Sequence, residues 1–241
     1  MGDFCNMAEK MIKIDPHTHS SGVSGCSHIT CEGIIDSKME RGYQGAILVN
    51  HCQSWYYPET EHKQFMERVI AEYARGREYA DKKGFHFYLG LEVTLMEPHY
   101  ADWLLYGITE DFLRASPCLY TLTQQRLYEL CEECGAVLVQ AHPYRQSPAN
   151  PKYMHGVEIN CCGADLEKVE LVEAFAKEHD LLITCGTDYH GATNTYNGGI
   201  YIPESCRDAT DIAKFFREKG SVTVFREGEE KTYTSKVFQR K

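Results

Sequence analysis

The sequence predicts an α/β fold, a single domain closed as a (β/α) barrel of the TIM type. Three observations carry this. Strand-like and helix-like segments alternate along the chain, the order that gives a parallel sheet with helical crossovers. The length, 241 residues, suits one such barrel, and no linker, repeat or composition break divides it. Histidine, aspartate and glutamate recur just after the apolar runs, and in a barrel those strand ends share one face.

The first strand-like run, Met11 to Ile14, leads into Asp15-Pro16-His17-Thr18-His19. In an extended chain residues two apart face the same side, so His17 and His19 aim both imidazoles at one point. After a Gly/Ser-rich loop, Thr30 caps a helix to about Arg41, with Ile34, Ile35 and Met39 as its stripe and Gly42 as its stop. Gly45 to Asn50 is a continuous apolar run of the kind buried on both faces. Phe65, Met66, Val69, Ile70, Tyr73 and Ala80 mark a long helix over 59–83, ended by Gly84. Strands are expected over 85–93 and 103–108. Thr121 with Gln124 has the form of a capping box for a helix carrying Leu127, Leu130 and Cys131. Further strands are expected over 136–141, 156–160 and 181–187, with a helix through Val169, Val172 and Ala176. Asp208 caps a last helix, and 221–225 with 231–237 read as a closing strand or hairpin.

The formal net charge of −10 argues against a stable nucleic-acid partner, because a phosphate backbone is repelled. The eleven cysteines sit in a long chain whose start lacks an apolar central region, so free thiols in a reducing cytoplasm are expected. Met1-Gly2 opens like a myristoylation site, but Asn6 stands where Ser or Thr is needed. No apolar run approaches the length of a membrane span.

Polar residues fall at the same place in successive units. They are Asp15, His17 and His19, then Asn50 and His51, then Glu92, then His142, then Asp188 and His190. Neutral imidazole and carboxylate are ligands for zinc, iron and manganese, and this set exceeds the needs of one ion. The count fits two or three divalent cations, with Glu92 bridging, that bring a water toward hydroxide near neutral pH. Local cations would also offset the acidic chain for an anionic substrate. Arg145, in Ala141-His142-Pro143-Tyr144-Arg145, is a candidate clamp for an anionic substrate group, a surface salt bridge being the equal alternative. Asp15 is expected to orient a ligand imidazole. Cys131 and Cys134 are expected to pack a helix, and Trp55, Tyr56 and Tyr57 to wall the site or cap the barrel.

Together, Asp-x-His-x-His, Asn-His, Gly-x-Glu, Ala-His-Pro-x-Arg and Gly-Thr-Asp-x-His resemble the polymerase-and-histidinol-phosphatase (PHP) family. The resemblance covers about residues 12–191, leaving a C-terminal helix and strands over 200–241. It implies a distorted (β/α)7 TIM-like barrel, a di- or trinuclear metal site and hydrolysis of phosphate esters. Position by position, it implies metal ligation by His17, His19, Glu92, His142 and Asp188, with His51 and His190 holding a further ion. The family commonly adds an acid or His in the loop after His19. Residues 20–27 hold no acid here, and His28 is the first candidate. Asn50 stands where Asp is usual. Asp102, with His99 close by, stands where the family often carries His. His190 or His51 is the alternative general acid if free of metal.

The resemblance implies a metal-dependent phosphoesterase acting on a mono- or diester of a small molecule or nucleotide. Two rivals remain, an amidohydrolase-type C–N hydrolase and a non-catalytic metal-binding barrel.

Overall fold

A computed structural model describes residues 9–97, 100–145 and 148–239. The expectations for Met1-Gly2 and for His99 fall outside them. Eleven strands join one sheet, in the order β11-β10-β9-β1-β2-β4-β5-β6-β7-β8, with the two-residue β3 beside β4. In chain order the strands are β1 (Met11–Thr18), β2 (Gly45–Leu48), β3 (His51–Cys52), β4 (His86–Leu95), β5 (Ala101–Tyr106) and β6 (Val137–Gln140). They continue as β7 (Gly156–Asn160), β8 (Leu182–Gly186), β9 (Gly198–Pro203), β10 (Ser221–Arg226) and β11 (Glu229–Thr234). The helices are α1 (Cys31–Glu40), α2 (His62–Lys83), α3 (Glu110–Ala115), α4 (Gln124–Cys134), α5 (Val169–His179) and α6 (Ala209–Lys219).

Seven strands, β1, β2 and β4 to β8, form the distorted TIM-like barrel. β1, β2 and β4 are parallel neighbours, as are β6, β7 and β8. β5 runs antiparallel to both β4 and β6, which departs from an all-parallel order. The cause is chain length: residues 96–100 are too few for a helical crossover, so the chain must turn back as a hairpin. The reversal brings the start of β5, not its end, to the face where the other strands finish.

The barrel closes only at that face. Thr18 bridges Tyr189 in parallel, with His19 N–H donating to the Tyr189 carbonyl (2.9 Å) and Tyr189 N–H to that of His17 (3.0 Å). Lower down, β1 pairs instead with β9, antiparallel from Met11↔Pro203 to Ile14↔Ile200. β10 and β11 extend that edge as an antiparallel meander. Neither β9 nor α3 stands out in the sequence. β9 opens on two glycines, and α3 is shorter than a full amphipathic repeat.

Local chemistry sets the ends of the helices. Thr30 Oγ1 accepts from Gly33 N–H (3.2 Å), and Asp208 accepts from Thr210 and Asp211 N–H at the start of α6. At α4 the cap is Thr123, which accepts from Arg126 N–H (3.2 Å). Thr121 lies instead in a 3-10 turn, its hydroxyl bonded to the Cys118 carbonyl (2.7 Å). The N-cap therefore lies two residues later than expected, and with Arg126 at N3 it is a simple threonine cap, not a capping box. Gly84, at φ +68°, ends α2 in the left-handed conformation.

Most buried apolar residues join one cluster running from β1 through β8 to α6, and a second lies under α1 and α2. Cys131 is buried in the first cluster as expected, but Cys134, at the last position of α4, is exposed, so only the first of the pair packs the helix. Tyr57 stacks on Phe65 (centroids 3.9 Å apart) and caps the core, whereas Trp55 is exposed and lies parallel to Tyr100. Among the described residues no helix is long and apolar enough to cross a membrane.

One ion-pair cluster straps α6 onto α4. Arg217 donates to Glu132 (2.6 Å) and to the carbonyls of Gly135 and Ala136, and His155 reaches the same carboxylate (2.7 Å). The His155 hydrogen bond, with Arg217, outweighs burial and pulls the Glu132 pKa down to about 2. A depressed carboxylate contributes stability above its unfolded pKa and loses it as pH falls through the folded one. Glu132→Gln is therefore expected to flatten the acid limb of stability below about pH 4.5. Because the group is nearly half exposed, the effect near neutrality is about 1 kcal/mol or less. Urea unfolding at pH 7 and pH 3 measures it, and equal losses at both would exclude this coupling.

Candidate metal centre

The seam between β1 and the chain after β8 places His17 and His19 beside Asp188 and His190. Sheet register adds the rest. β3 pairs with β4 at His51↔Glu92, and β5 opposes β4 at Thr94↔Asp102. His142 follows β6. His142 (φ +30°) and Asp188 (φ +51°) both take the left-handed backbone region, which turns their side chains back over the barrel mouth.

Three groups of ligand atoms result, each with its members within 4.8 Å of one another: His17, His19, Glu92 and Asp188; Glu92, Asp102 and His142; and His19, His51 and His190. Glu92 serves two of them with different oxygens. Its Oε2 lies 3.5 Å from His17 Nε2, 3.3 Å from His19 Nε2 and 2.9 Å from His51 Nδ1, while Oε1 lies 3.2 Å from His142 Nε2. Asp188 Oδ1 lies 3.3 Å from His17 Nε2 and 3.2 Å from His19 Nε2.

Apart from the His142 Nε2–Glu92 Oε1 hydrogen bond, these atoms are close without hydrogen-bonding to one another. His17 Nε2, both nitrogens of His19, His51 Nδ1, Glu92 Oε2 and Asp188 Oδ1 are buried without a hydrogen-bond partner. Buried polar atoms are ordinarily paired. Here nitrogen and oxygen lone pairs converge on shared points, as ligands to divalent cations do, and the donor set is one that zinc, iron and manganese accept. The residues fit the metals that the sequence implies.

The field inside the cluster is uneven. Burial disfavours a His17 cation, but Glu158, Asp188 and Glu92 together raise its pKa well above the ordinary value. Burial and the neighbouring His51 push His19 well below it. Burial opposes ionisation of Glu92 and Asp188, yet the surrounding imidazoles hold both carboxylates well below the usual range.

Around this lies a second layer. Glu158, fully buried on β7, accepts from His17 Nδ1 (2.7 Å) and from His142 N–H (3.2 Å). It fixes the His17 tautomer so that Nε2 faces the cluster. The sequence reading expected this role of Asp15. Asp15 instead accepts from the backbone N–H groups of His17 (3.1 Å) and Thr187 (3.2 Å) and pairs with the fully buried Lys38 (2.5 Å). It positions the two backbones that carry the ligands, not an imidazole. Asn50 accepts from Ser20 N–H (2.8 Å) and Ser24 Oγ (2.9 Å) and pins the loop after His19.

His17, His19, His51, Glu92, His142, Asp188 and His190 thus come together, joined by Asp102. His28 does not join them: it is exposed, outside all three groups, and its backbone N–H donates to the His190 carbonyl (3.0 Å). The loop residue whose side chain reaches the cluster's edge is Cys26, which is also exposed and outside the three groups but whose Sγ lies 3.1 Å from His190 Nε2. Burial alone would raise this thiol, but hydrogen bonding to His190, His51 and Tyr56 brings its pKa down to about 5. Arg145 is bound to two carboxylates, Asp165 (2.6 Å) and Asp188 (3.1 Å). Sequence reasoning missed Glu158, Asp165 and Cys26. Glu158 had a signal: it is an acid between Val157 and Ile159 in an otherwise apolar strand.

Packing around the second layer leaves no slack. A Cβ on Gly186 would sit 2.6 Å from Glu158 Oε1 and 2.6 Å from His17 Cβ. Gly186→Ala is expected to displace both residues, with metal content falling sharply while the far-ultraviolet circular dichroism stays native. Full metal content would show that the pair can shift without loss of the site.

No protein-family profile matches the chain, and no curated protein does. Solved structures do, at low identity. One is a two-domain Bacteroides vulgatus protein, part of which is assigned as a PHP-like metal-dependent phosphoesterase (18% identity, TM-score 0.60, 90% of this chain and 65% of that one). Another is an amidohydrolase from Chromobacterium violaceum with bound sulfate and no metal (14%, TM-score 0.58, 88% and 97%). A third is the lesion-specific endonuclease EndoQ from Pyrococcus furiosus (14%, TM-score 0.58, 92% and 58%). The chain spans less than two thirds of the Bacteroides and Pyrococcus proteins. At these identities the likeness concerns architecture: the chain has the distorted barrel fold of PHP-like metal-dependent phosphoesterases.

Proposed function

We propose that the chain is a metal-dependent hydrolase, and specifically a phosphoesterase acting on a phosphate mono- or diester of a small molecule or nucleotide. The observation that carries this reading is Glu92, whose two oxygens face different ligand groups across a buried cluster of orphaned imidazole and carboxylate atoms. Two or three divalent cations held there supply Lewis acidity and acidify water toward neutral pH. His17, His19, Glu92 and Asp188 would hold one, Glu92, Asp102 and His142 a second, and His51 with His190 a third.

The remaining groups orient these ligands. Glu158 holds His17, Thr94 donates to Asp102 (2.6 Å), and Arg145 holds the outer oxygen of Asp188. Arg145 uses four of its five N–H groups on Asp165 and Asp188, which leaves one for a phosphoryl oxygen. His190 Nδ1 lies 2.8 Å from the Asp188 carbonyl, which can only accept, so Nδ1 carries a proton and Nε2 is the nitrogen left to face a cation. That arrangement favours ligation over service as a general acid.

The rival C–N hydrolase reading draws on the Chromobacterium neighbour. Against it, the buried Lys38 is committed to Asp15 and Thr187, so it is not available as the metal-bridging lysine that such enzymes often use. The acidic surface charge supports a small substrate over a long nucleic acid, although the Pyrococcus neighbour is an endonuclease.

Metal analysis paired with hydrolysis of an aryl phosphate, with and without added manganese or zinc, tests the proposal. Two or three ions per chain and metal-dependent phosphate release are expected. Bound metal with amide but no phosphate-ester hydrolysis would move the function to C–N chemistry. Bound metal without any turnover would leave a binding protein.

A further inference from the structure

Three features converge at the outer edge of the cluster, beside His51 and His190. The first is the orientation of His190: its Nδ1–H is spent on the Asp188 carbonyl (2.8 Å), so Nε2 is the nitrogen left to face outward. Nε2 lies 3.1 Å from Cys26 Sγ. The second is the set of unpartnered nitrogens behind it. His19 is fully buried with neither ring nitrogen hydrogen-bonded, and His51 Nδ1 is likewise orphaned. The rings of His51 and His190 both lie against His19 (centroids 4.3 and 4.4 Å away) and 5.8 Å from each other, and these ring contacts satisfy no nitrogen. The third is the way Cys26 is held. Tyr56 OH accepts from its backbone N–H (3.2 Å), and Ser27 next to it donates to the His19 carbonyl (2.8 Å), so the loop is tied to the cluster on both sides of the thiol.

We propose that the Cys26 thiolate is a metal ligand, completing with His51 and His190 a subsite for a borderline-soft divalent cation such as zinc. This rests on the metal-centre reading above and goes beyond it by making one subsite chemically unlike the other two. Those are built from imidazole and carboxylate, which accept manganese and iron as well as zinc. A sulfur donor beside two imidazoles discriminates against manganese. Ligation needs the thiolate, so cation binding displaces the thiol proton to solvent. Residues 20–27 hold no acid, and Cys26 is the one side chain among them that can bring an anionic donor to the subsite.

The test is titration of the metal-free full chain with cobalt(II), followed by visible and near-ultraviolet absorption, in the wild type, Cys26→Ser and Cys26→Asp. The wild type is expected to show d–d bands together with a thiolate-to-cobalt charge-transfer band. Cys26→Ser is expected to keep d–d bands from the inner ligands, lose the charge-transfer band and bind one cation fewer. Cys26→Asp is expected to regain that cation without the band, and to exchange it for manganese more readily than the wild type does. A wild type with d–d bands but no charge-transfer band overturns the proposal and leaves the metal centre standing. So does a band that persists in Cys26→Ser, since another thiol would then be its source. Absence of all cobalt bands overturns the metal-centre reading itself, and this ligand with it.

Discussion

Glu92→Gln is expected to abolish metal-dependent turnover and the metal-dependent gain in thermal stability together. Glu92 is the residue common to the two inner ligand groups, and its two oxygens contact four imidazoles between them. An amide keeps the volume but removes the anionic charge, and one of its two ends becomes a donor that points at lone pairs. At free metal about 1,000-fold above Kd, a single cation adds about 4 kcal/mol to the native state. For a chain of this size that is a rise in Tm of roughly 8–16 °C. The wild type should show this rise on adding metal after chelation, and Glu92→Gln should show little of it. Differential scanning calorimetry with and without chelator measures the difference. A full metal-dependent rise in the variant would remove Glu92 from the ligand set.

Glu158→Gln is the second large effect, and it acts one layer out. The carboxylate touches no candidate cation point. It holds His17 Nδ1 and the backbone of His142, and Asn160 braces it from below (2.9 Å). Loss of such a carboxylate behind a ligating imidazole costs about 10–100-fold in metal affinity or activity. The affinity loss should appear in isothermal titration with zinc, while the circular dichroism of the metal-free variant stays native. Saturating metal should restore most of the turnover, because the ligands themselves remain. Unchanged affinity would make Glu158 a packing residue. Turnover that stays low at saturating metal would place it in the chemistry instead.

The two variants also separate what could be read from the chain and what could not. His17, His19 and Glu92 were legible because strand periodicity is local: alternate residues share a face whatever the rest of the chain does. Asp188 and His190 were legible for the same reason, once the apolar run before them marked a strand end. Glu158 was harder. Its neighbours mark it as an acid in a buried strand, but nothing local says that it faces His17, 141 residues away. Asp15 shows the converse. A carboxylate two residues before a ligand histidine looks like its orienting partner, yet it is Lys38 and Thr187, brought in by α1 and the end of β8, that claim it. His28 and Cys26 divide on the same ground. Both lie in the loop after His19, and histidine is the better ligand by residue type. The loop conformation, set by Asn50, Ser27 and Tyr56, turns Cys26 toward His190 and leaves His28 in solvent.

The sequence by itself determined the α/β class, most of the helices and strands, and the convergence of metal-ligating residues at strand ends, because each follows from short-range periodicity and residue chemistry. Only the tertiary structure decided that β5 runs backward, that β9 inserts beside β1, and which side chains meet across the seam between β1 and the chain after β8. Those outcomes depend on hydrogen-bond pairing between strands far apart in sequence. The energy of such pairing depends on which distant strand is available, and a local pattern carries no record of it.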